Sequence, residues 1–246
     1  MICPSREKDI LCSCIYGIDI DIHAVEVAKF SLLIKLIEDE TAPSVSEVVP
    51  ILPDLGDNIQ FGNSLVSQTE LNGISGANHQ MMEIAPFDWS TINNGCGFDV
   101  IIGNPPYVNT EGMHALLPSA EVEIYKKKYK TSHKQFDKYF IFIEQAINKI
   151  NENGLVCYIV PNKFFKIGAG EKLRNLIAKE RMLVSLDDFG DAQLFEDKTI
   201  YSSIILLSKA KQTSFVYSSV DSANKLWAGE EVSSIELNSS VLNKLP

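Results

Sequence analysis

Short runs of β-forming residues alternate along this chain with longer runs in which apolar residues recur every three or four positions. This alternation is typical of α/β proteins, in which helices cover a mostly parallel sheet. Helices are predicted at about 23–38, 139–150 and 171–179, and Gly154 is expected to end the second of them. Six strands are predicted, at residues 15–20, 59–61, 98–102, 155–160, 183–189 and 200–207. The last two are close enough in sequence to pair antiparallel.

The length of 246 residues fits one large domain, or one domain with a tail. The predicted elements end near residue 210, and eight serines follow before Pro246 without a sustained hydrophobic period. We therefore expect a core domain over residues 1–210, and a linker or the start of a second domain over 211–246.

The charge of the chain is unevenly distributed. Acidic residues outnumber basic ones by 32 to 22, which disfavours a nucleic-acid binder because DNA affinity comes mostly from Lys and Arg. Residues 124–138, however, hold six lysines and one acid. Part of this patch is predicted to contact DNA phosphates, and the alternative is a solvated face. The lysines concerned are Lys126, Lys127, Lys128 and Lys130.

The N-terminal residues mix acids and bases without an apolar core, so no signal peptide is predicted. No apolar run is long enough to span a bilayer. The five cysteines are an odd number and lack zinc-site spacing, which favours reduced thiols and predicts no metal site. We therefore expect a cytoplasmic protein without membrane contact.

Four residues, Asn104-Pro105-Pro106-Tyr107, directly follow a strand of buried type, at the strand end where open α/β sheets place their ligands. The Asn104 side-chain oxygen and the Pro105 carbonyl can accept both N–H bonds of a planar amine, which aims the nitrogen lone pair at a methyl donor. Pro106 stiffens this loop, and the Tyr107 ring offers a flat stacking surface. The alternative is a plain turn after a strand.

Two other predicted strands also end in polar residues. Asp19 ends the first strand, where a carboxylate can accept both hydroxyls of a ribose. Asn63 ends the second, where its side-chain amide can read a base edge. A metal cluster of Asp19, Asp21 and His23 is the alternative, but oxygen-rich metal sites need more ligands than these three.

Because of these motifs at the strand ends and the residues around them, the chain resembles the adenine-specific DNA methyltransferases of restriction-modification systems, particularly the fused type IIG methyltransferase-endonucleases. The resemblance runs from about Arg6 to Lys209. It is carried by IYGIDIDIHAVEVAKFSL (15–32), FGNSLV (61–66), FDVIIGNPPYV (98–108), FDKYFIFIEQAI (136–147), NGLVCYIVPNKFF (153–165) and DFGDAQLFEDKTIYSSIILLSK (188–209).

The resemblance implies the doubly wound, Rossmann-like sheet of S-adenosylmethionine-dependent methyltransferases, mostly parallel with an antiparallel last strand. It also implies transfer of a methyl group from S-adenosylmethionine to the exocyclic amino group of an adenine flipped out of double-stranded DNA. The cofactor would be bound by Asp19 at its ribose and Ile20 at its adenine, with Asn63 at the adenine amino edge and Asn104 beside it. Asn104 and Pro105 would hold the target amine, while Tyr107 and Phe195 would stack on the two faces of the flipped base.

The family also has a glycine-rich strand and turn before the segment at Ile15, and the sequence given does not contain them. We therefore expect the first strand of the sheet to be missing, cofactor binding by the chain alone to be weak, and a separate polypeptide or domain to supply this segment. Residues 211–246 would begin a truncated target-recognition region. Two alternatives stay open: a methyltransferase acting on RNA or a protein glutamine, and a non-catalytic fragment.

Overall fold

The computed structural model describes residues 4–38, 52–193, 201–220, 228 and 232–244. The chain forms two compact units, Met1–Cys96 and Gly97–Pro246.

The first unit is built around a pair of short parallel strands. Its elements are α1 (Pro4–Cys14), β1 (Gly17–Asp19), α2 (Ile22–Ile37), β2 (Ile59–Phe61), α3 (Gln68–Asn72) and α4 (Met81–Ile84). In the parallel pair, Gly17 lies opposite Ile59 and Asp19 opposite Phe61. Leu11, Val25 and Leu55 pack around Ile59, so that α1 and α2 share one small core with β2.

The second unit is a six-stranded sheet with helices. Its elements are β3 (Phe98–Gly103), α5 (Thr110–Leu116), α6 (Ser119–Lys128), α7 (Lys138–Lys149), β4 (Ile150–Pro161), α8 (Glu171–Glu180), β5 (Leu183–Gln193), β6 (Tyr201–Ser208), β7 (Ser214–Ser219) and β8 (Ser233–Asn238). The strand order is β3-β4-β6-β5-β7-β8.

Strand directions confirm the expected fold class. β3 pairs parallel with β4, and β5 pairs parallel with β7, whereas β6 runs antiparallel between β4 and β5. β8 is antiparallel to β7. Four of the six strands therefore point the same way, and the predicted antiparallel pairing of 183–189 with 200–207 is confirmed as β5 and β6.

The sheet continues beyond residue 210. β7 and β8 lie in the serine-rich segment for which the sequence predicted no elements, and β7 adds to the open side of β5. Phe215 and Val220 are buried there. The assignment of residues 211–246 to target recognition stays a prediction.

The end of α7 corrects one expectation. The helix ends at Lys149, and Gly154 lies inside β4 rather than capping the helix. A Cβ at Gly154 would lie 2.8 Å from the Phe98 carbonyl oxygen and 2.7 Å from Cβ of Ile150. The glycine is therefore needed for the close approach of β3 to the start of β4.

Candidate functional site

The loop Asn104–Tyr107 leaves the sheet at the carboxyl end of β3. The last residue pair of β3 and β4 is Gly103 with Tyr158. Pro105 and Pro106 have no N–H to donate, so the ladder cannot continue. Asn104 is exposed and Pro105 is buried, which leaves the Asn104 side chain accessible on an anchored backbone.

The loop is fastened at its far end to the start of α7. The Lys138 N–H donates to the Val108 carbonyl oxygen at 2.8 Å, and the Thr110 hydroxyl donates to the Phe136 carbonyl at 2.7 Å. Asn109 caps α5 by accepting the Gly112 N–H at 2.8 Å. These bonds hold the far end of the loop at the starts of α5 and α7, while its near end continues directly from β3.

Tyr107 is half-buried and joins the loop to β4. Its hydroxyl oxygen lies 2.5 Å from Asn104 Oδ1 and 3.0 Å from the Ile159 carbonyl oxygen. Its ring meets the buried Tyr139 ring at right angles, with 6.1 Å between centroids. Burial, and secondly the nearby Asp137 carboxylate, raise the pKa of Tyr107 to about 12, so its hydroxyl stays protonated near neutral pH.

An ion pair between a buried carboxylate and an exposed lysine, beside the loop, was not singled out from the sequence. Asp137 is 3% exposed, and its Oδ2 lies 3.0 Å from Nζ of Lys163 in the turn after β4. Its Oδ1 has no hydrogen-bond partner among the described residues. Burial is the largest cause of the raised pKa of Tyr139, and the Asp137 carboxylate is the second largest. Both ion-pair residues lie in quoted motifs, FDKYFIFIEQAI and NGLVCYIVPNKFF, which are the signal that could have indicated them.

In the first unit, Asp19 ends β1 and Asn63 lies just after the paired strand β2. The Gly62 N–H donates to the Asp19 carbonyl at 2.8 Å, so the two strand ends lie side by side. Asp19 is exposed and accepts the Asp21 N–H on Oδ1 at 2.8 Å. Ile20 is 52% exposed, which places an accessible apolar side chain next to an accessible carboxylate.

Asn63 has a structural role that the sequence did not indicate. It is 6% exposed, and its Oδ1 accepts the Leu65 N–H at 3.1 Å. Its backbone N–H donates to the Ala85 carbonyl at 2.7 Å. Asn63 therefore holds the turn after β2, and its contact with a cofactor stays a prediction.

The alternative metal cluster gains no support from the geometry. Asp21 caps α2 by accepting the His23 N–H at 2.8 Å, a local role that accounts for an acid at this position. Within the described parts of the chain, no group of three or more His, Cys, Asp or Glu side chains is arranged to hold a metal ion.

The four lysines of the basic patch have different surroundings. Nζ of Lys126 lies 3.1 Å from the His114 ring, and Lys127 pairs with Glu123 at 2.6 Å. Lys128 lies over the Tyr129 ring. Lys130 is exposed and follows the end of α6, where the buried Glu144 accepts its backbone N–H at 3.1 Å.

Phe195, the second predicted stacking residue, lies outside the described residues. Of the helices that the structure describes, none is long and apolar enough to cross a membrane.

Comparison with solved structures identifies the fold as that of restriction-modification enzymes. The DrdV–DNA complex matches 96% of this chain and 25% of its own, with a TM-score of 0.66 and 13% identity. A nuclease-deletion mutant of the type ISP enzyme LlaGI, bound to a DNA substrate mimic, matches 89% of this chain and 19% of its own, with a TM-score of 0.60 and 12% identity.

The sequence places the chain in one family of these enzymes. The pattern of the Eco57I restriction-modification methylases matches residues 13–195, and the chain belongs to that family. The type II restriction enzyme and methyltransferase RM.Eco57I of Escherichia coli is 43% identical over 92% of this chain and 22% of its own length. The type II methyltransferase M.PaeR7I of Pseudomonas aeruginosa is 31% identical over 46% and 19%.

These comparisons confirm the resemblance inferred from the motifs. The chain spans about a fifth of the length of these two curated relatives.

Proposed function

We propose that this chain carries the target-base site of an adenine-specific DNA methyltransferase from a restriction-modification system. The observation that carries the proposal is the Asn104–Tyr107 loop at the carboxyl end of β3, in a chain that belongs to a restriction-modification methylase family. The loop presents an exposed carboxamide on a backbone anchored at Pro105.

The chemistry follows from two acceptors next to each other. The amino nitrogen of adenine is a poor nucleophile because its lone pair is conjugated with the ring. Hydrogen bonds from its two N–H groups to Asn104 Oδ1 and the Pro105 carbonyl draw the nitrogen towards tetrahedral geometry. With its lone pair so released, the nitrogen would accept the methyl group that bound S-adenosylmethionine supplies, and it would lose one proton to solvent. Tyr107 supports the flipped base by stacking, and Phe195 is proposed for the opposite face.

The residues at the end of β1 suit the binding of S-adenosylmethionine. An exposed carboxylate at Asp19 suits two ribose hydroxyls, and the exposed Ile20 side chain suits the apolar face of an adenine. Asn63, held in the turn after β2, is proposed for the adenine edge. When bound, this cofactor supplies an electrophilic methyl group on a positively charged sulfur.

We further propose that a segment outside this chain completes the site. Within the described residues, β3 pairs only with β4, and Val100 and Ile102 on β3 are 56% and 75% exposed. Strands of parallel sheets are ordinarily buried on both faces, so an apolar strand with an open edge calls for a neighbour. A glycine-rich strand and turn, on the same polypeptide or a separate one, would supply that neighbour and hold the methionine end of the cofactor.

Calorimetric titration with S-adenosylmethionine tests the cofactor assignment. We expect little heat from the chain alone, and saturable binding once a polypeptide with the glycine-rich segment is added. Asp19→Ala should remove that binding. Asp57→Ala, which removes another exposed aspartate just before β2, is the matched control and should keep it. Equal affinity with and without the added segment would contradict the proposed completion, and no binding in either case would favour a non-catalytic fragment.

The substrate class is tested by transfer of a labelled methyl group to duplex DNA, RNA or a glutamine-containing peptide. We expect label in the adenine amino groups of DNA. Label in RNA or peptide with none in DNA would favour the alternative methyltransferase.

Replacing Lys126, Lys127, Lys128 and Lys130 together with alanine should weaken DNA binding and flatten its salt dependence. If each lysine neutralises one phosphate, the slope of log affinity against log salt should fall in magnitude by about 3 to 4. Fluorescence anisotropy between low and moderate salt measures this slope. The exposed Lys172 and Lys179 on α8 form a control pair. An unchanged slope in the four-lysine variant would make the patch a solvated face.

A further inference from the structure

The Tyr107 hydroxyl lies between two oxygen atoms. Asn104 Oδ1 is 2.5 Å away and the Ile159 carbonyl oxygen is 3.0 Å away. Both are acceptors, but a tyrosine hydroxyl has a single proton to donate. With the Asn104 oxygen turned towards Tyr107, two acceptors therefore compete for one proton.

The Ile159 carbonyl needs this proton because of the prolines in the loop. Ile159 is one residue beyond Tyr158, the last residue of β4 that pairs with β3. Pro105 and Pro106 have no N–H to extend the ladder. The tyrosine hydroxyl thus takes the place of a backbone donor at the end of the sheet, where an unmet carbonyl costs free energy.

A half-turn of the Asn104 carboxamide exchanges its oxygen and nitrogen at nearly the same positions. After that turn, Asn104 Nδ2 donates to the Tyr107 oxygen, and Tyr107 donates to Ile159. Each of these three hydrogen-bonding groups then has a complementary partner. Asn104 Oδ1 faces away from Tyr107 with both lone pairs available to an incoming N–H.

We propose that the Tyr107 hydroxyl is a positioning group that selects this orientation of the Asn104 carboxamide and presents its oxygen to the target amine. The proposal rests on the proposed function and adds to it, because it gives the hydroxyl a role separate from stacking by the ring. In the opposite orientation, Asn104 would direct N–H groups at the N–H groups of the substrate and could not accept from them.

The surroundings of Tyr107 suit this role. Its raised pKa keeps the hydroxyl protonated well above neutral pH. Ile159 is held opposite Ile204 in the antiparallel pairing of β4 with β6, so the accepting carbonyl is fixed in the sheet. Among the described residues, the Asn104 side chain makes no hydrogen bond except that with Tyr107.

The first test is a double-mutant cycle on methyl transfer, measured with the chain and the segment that completes its cofactor site. Tyr107→Phe keeps the ring, so KM for DNA should change less than about twofold while kcat falls about tenfold, the value of one hydrogen bond. In the Asn104→Asp background the two carboxylate oxygens are equivalent and no wrong orientation exists. Tyr107→Phe should then lower kcat less than about twofold. Equal losses in the two backgrounds would overturn the proposal.

The second test needs no catalysis, so it separates this proposal from the proposed function. In nitrogen-15 NMR spectra of the chain, the Asn104 side-chain N–H signal should lie downfield and move towards the free-amide position in Tyr107→Phe. Tyr139→Phe is the matched control, because that hydroxyl lies 3.3 Å from the Pro161 carbonyl oxygen and belongs to a different hydrogen bond. An Asn104 signal unchanged by Tyr107→Phe would overturn the proposal, whether or not the protein transfers methyl groups.

Discussion

Replacing Asn104 with alanine is expected to reduce methyl transfer at least about 10²–10³-fold, the usual effect of deleting one preorganised polar group from a reacting centre. The alanine leaves only the Pro105 carbonyl to accept from the target amine. The lone pair of the nitrogen then stays conjugated with the adenine ring. The rate of labelled methyl transfer to duplex DNA in a single turnover, with the cofactor site completed, measures this loss.

The design separates chemistry from folding. Asn104 is exposed, so its loss should change the free energy of unfolding by no more than about 0.5 kcal/mol. Asn148→Ala, at an exposed position of α7, is the matched control and should keep full activity. Retention of more than about a tenth of the rate by Asn104→Ala would show that the carboxamide is not the catalytic acceptor.

The second large effect is expected on stability. Phe140 on α7 is fully buried, and its ring lies 4.7 Å from that of Tyr139 and 6.4 Å from that of Phe164, measured between centroids. Phe140→Ala should lower the free energy of unfolding of the second unit by about 3–5 kcal/mol, because it removes apolar contacts and leaves a cavity. Native-state hydrogen exchange at the amides of β4 measures the loss within that unit.

A neighbouring phenylalanine provides the control for this prediction. Phe142 lies on the same helix and is only partly buried, so Phe142→Ala should cost less than Phe140→Ala. Equal effects of the two substitutions would mean that the aromatic cluster does not support the sheet. Since Tyr139 links this cluster to the Tyr107 ring, Phe140→Ala should also loosen the Asn104–Tyr107 loop.

Six of the eight described strands, but only α2, α7 and α8 of the eight described α-helices, were predicted from the sequence. The strand predicted at 59–61 is β2, the helix predicted at 171–179 is α8, and the antiparallel pair is β5 and β6. These segments have strong hydrophobic periodicity, which depends on local sequence alone. The strands β7 and β8 were not predicted, because short serine-containing strands are stabilised mainly by pairing with a neighbour.

Gly154 shows why a local rule can fail. A glycine after a helical pattern is a common helix end, but here the close approach of β3 requires it. The role of Asn63 could not be predicted from the sequence either, because its side-chain oxygen closes a turn that the sequence does not reveal. In both positions the nearest atoms decide the role of the residue.

The sequence by itself determined the fold class, the family and the place of the Asn104–Tyr107 loop at a strand end. Each of these follows from residue order: a periodic pattern, a run of motifs, and two prolines that end a ladder. Only the tertiary structure brought Ile159 to the Tyr107 hydroxyl and Lys163 to Asp137. These contacts join residues 52 and 26 positions apart in the chain, and such contacts are set by tertiary packing rather than by local sequence.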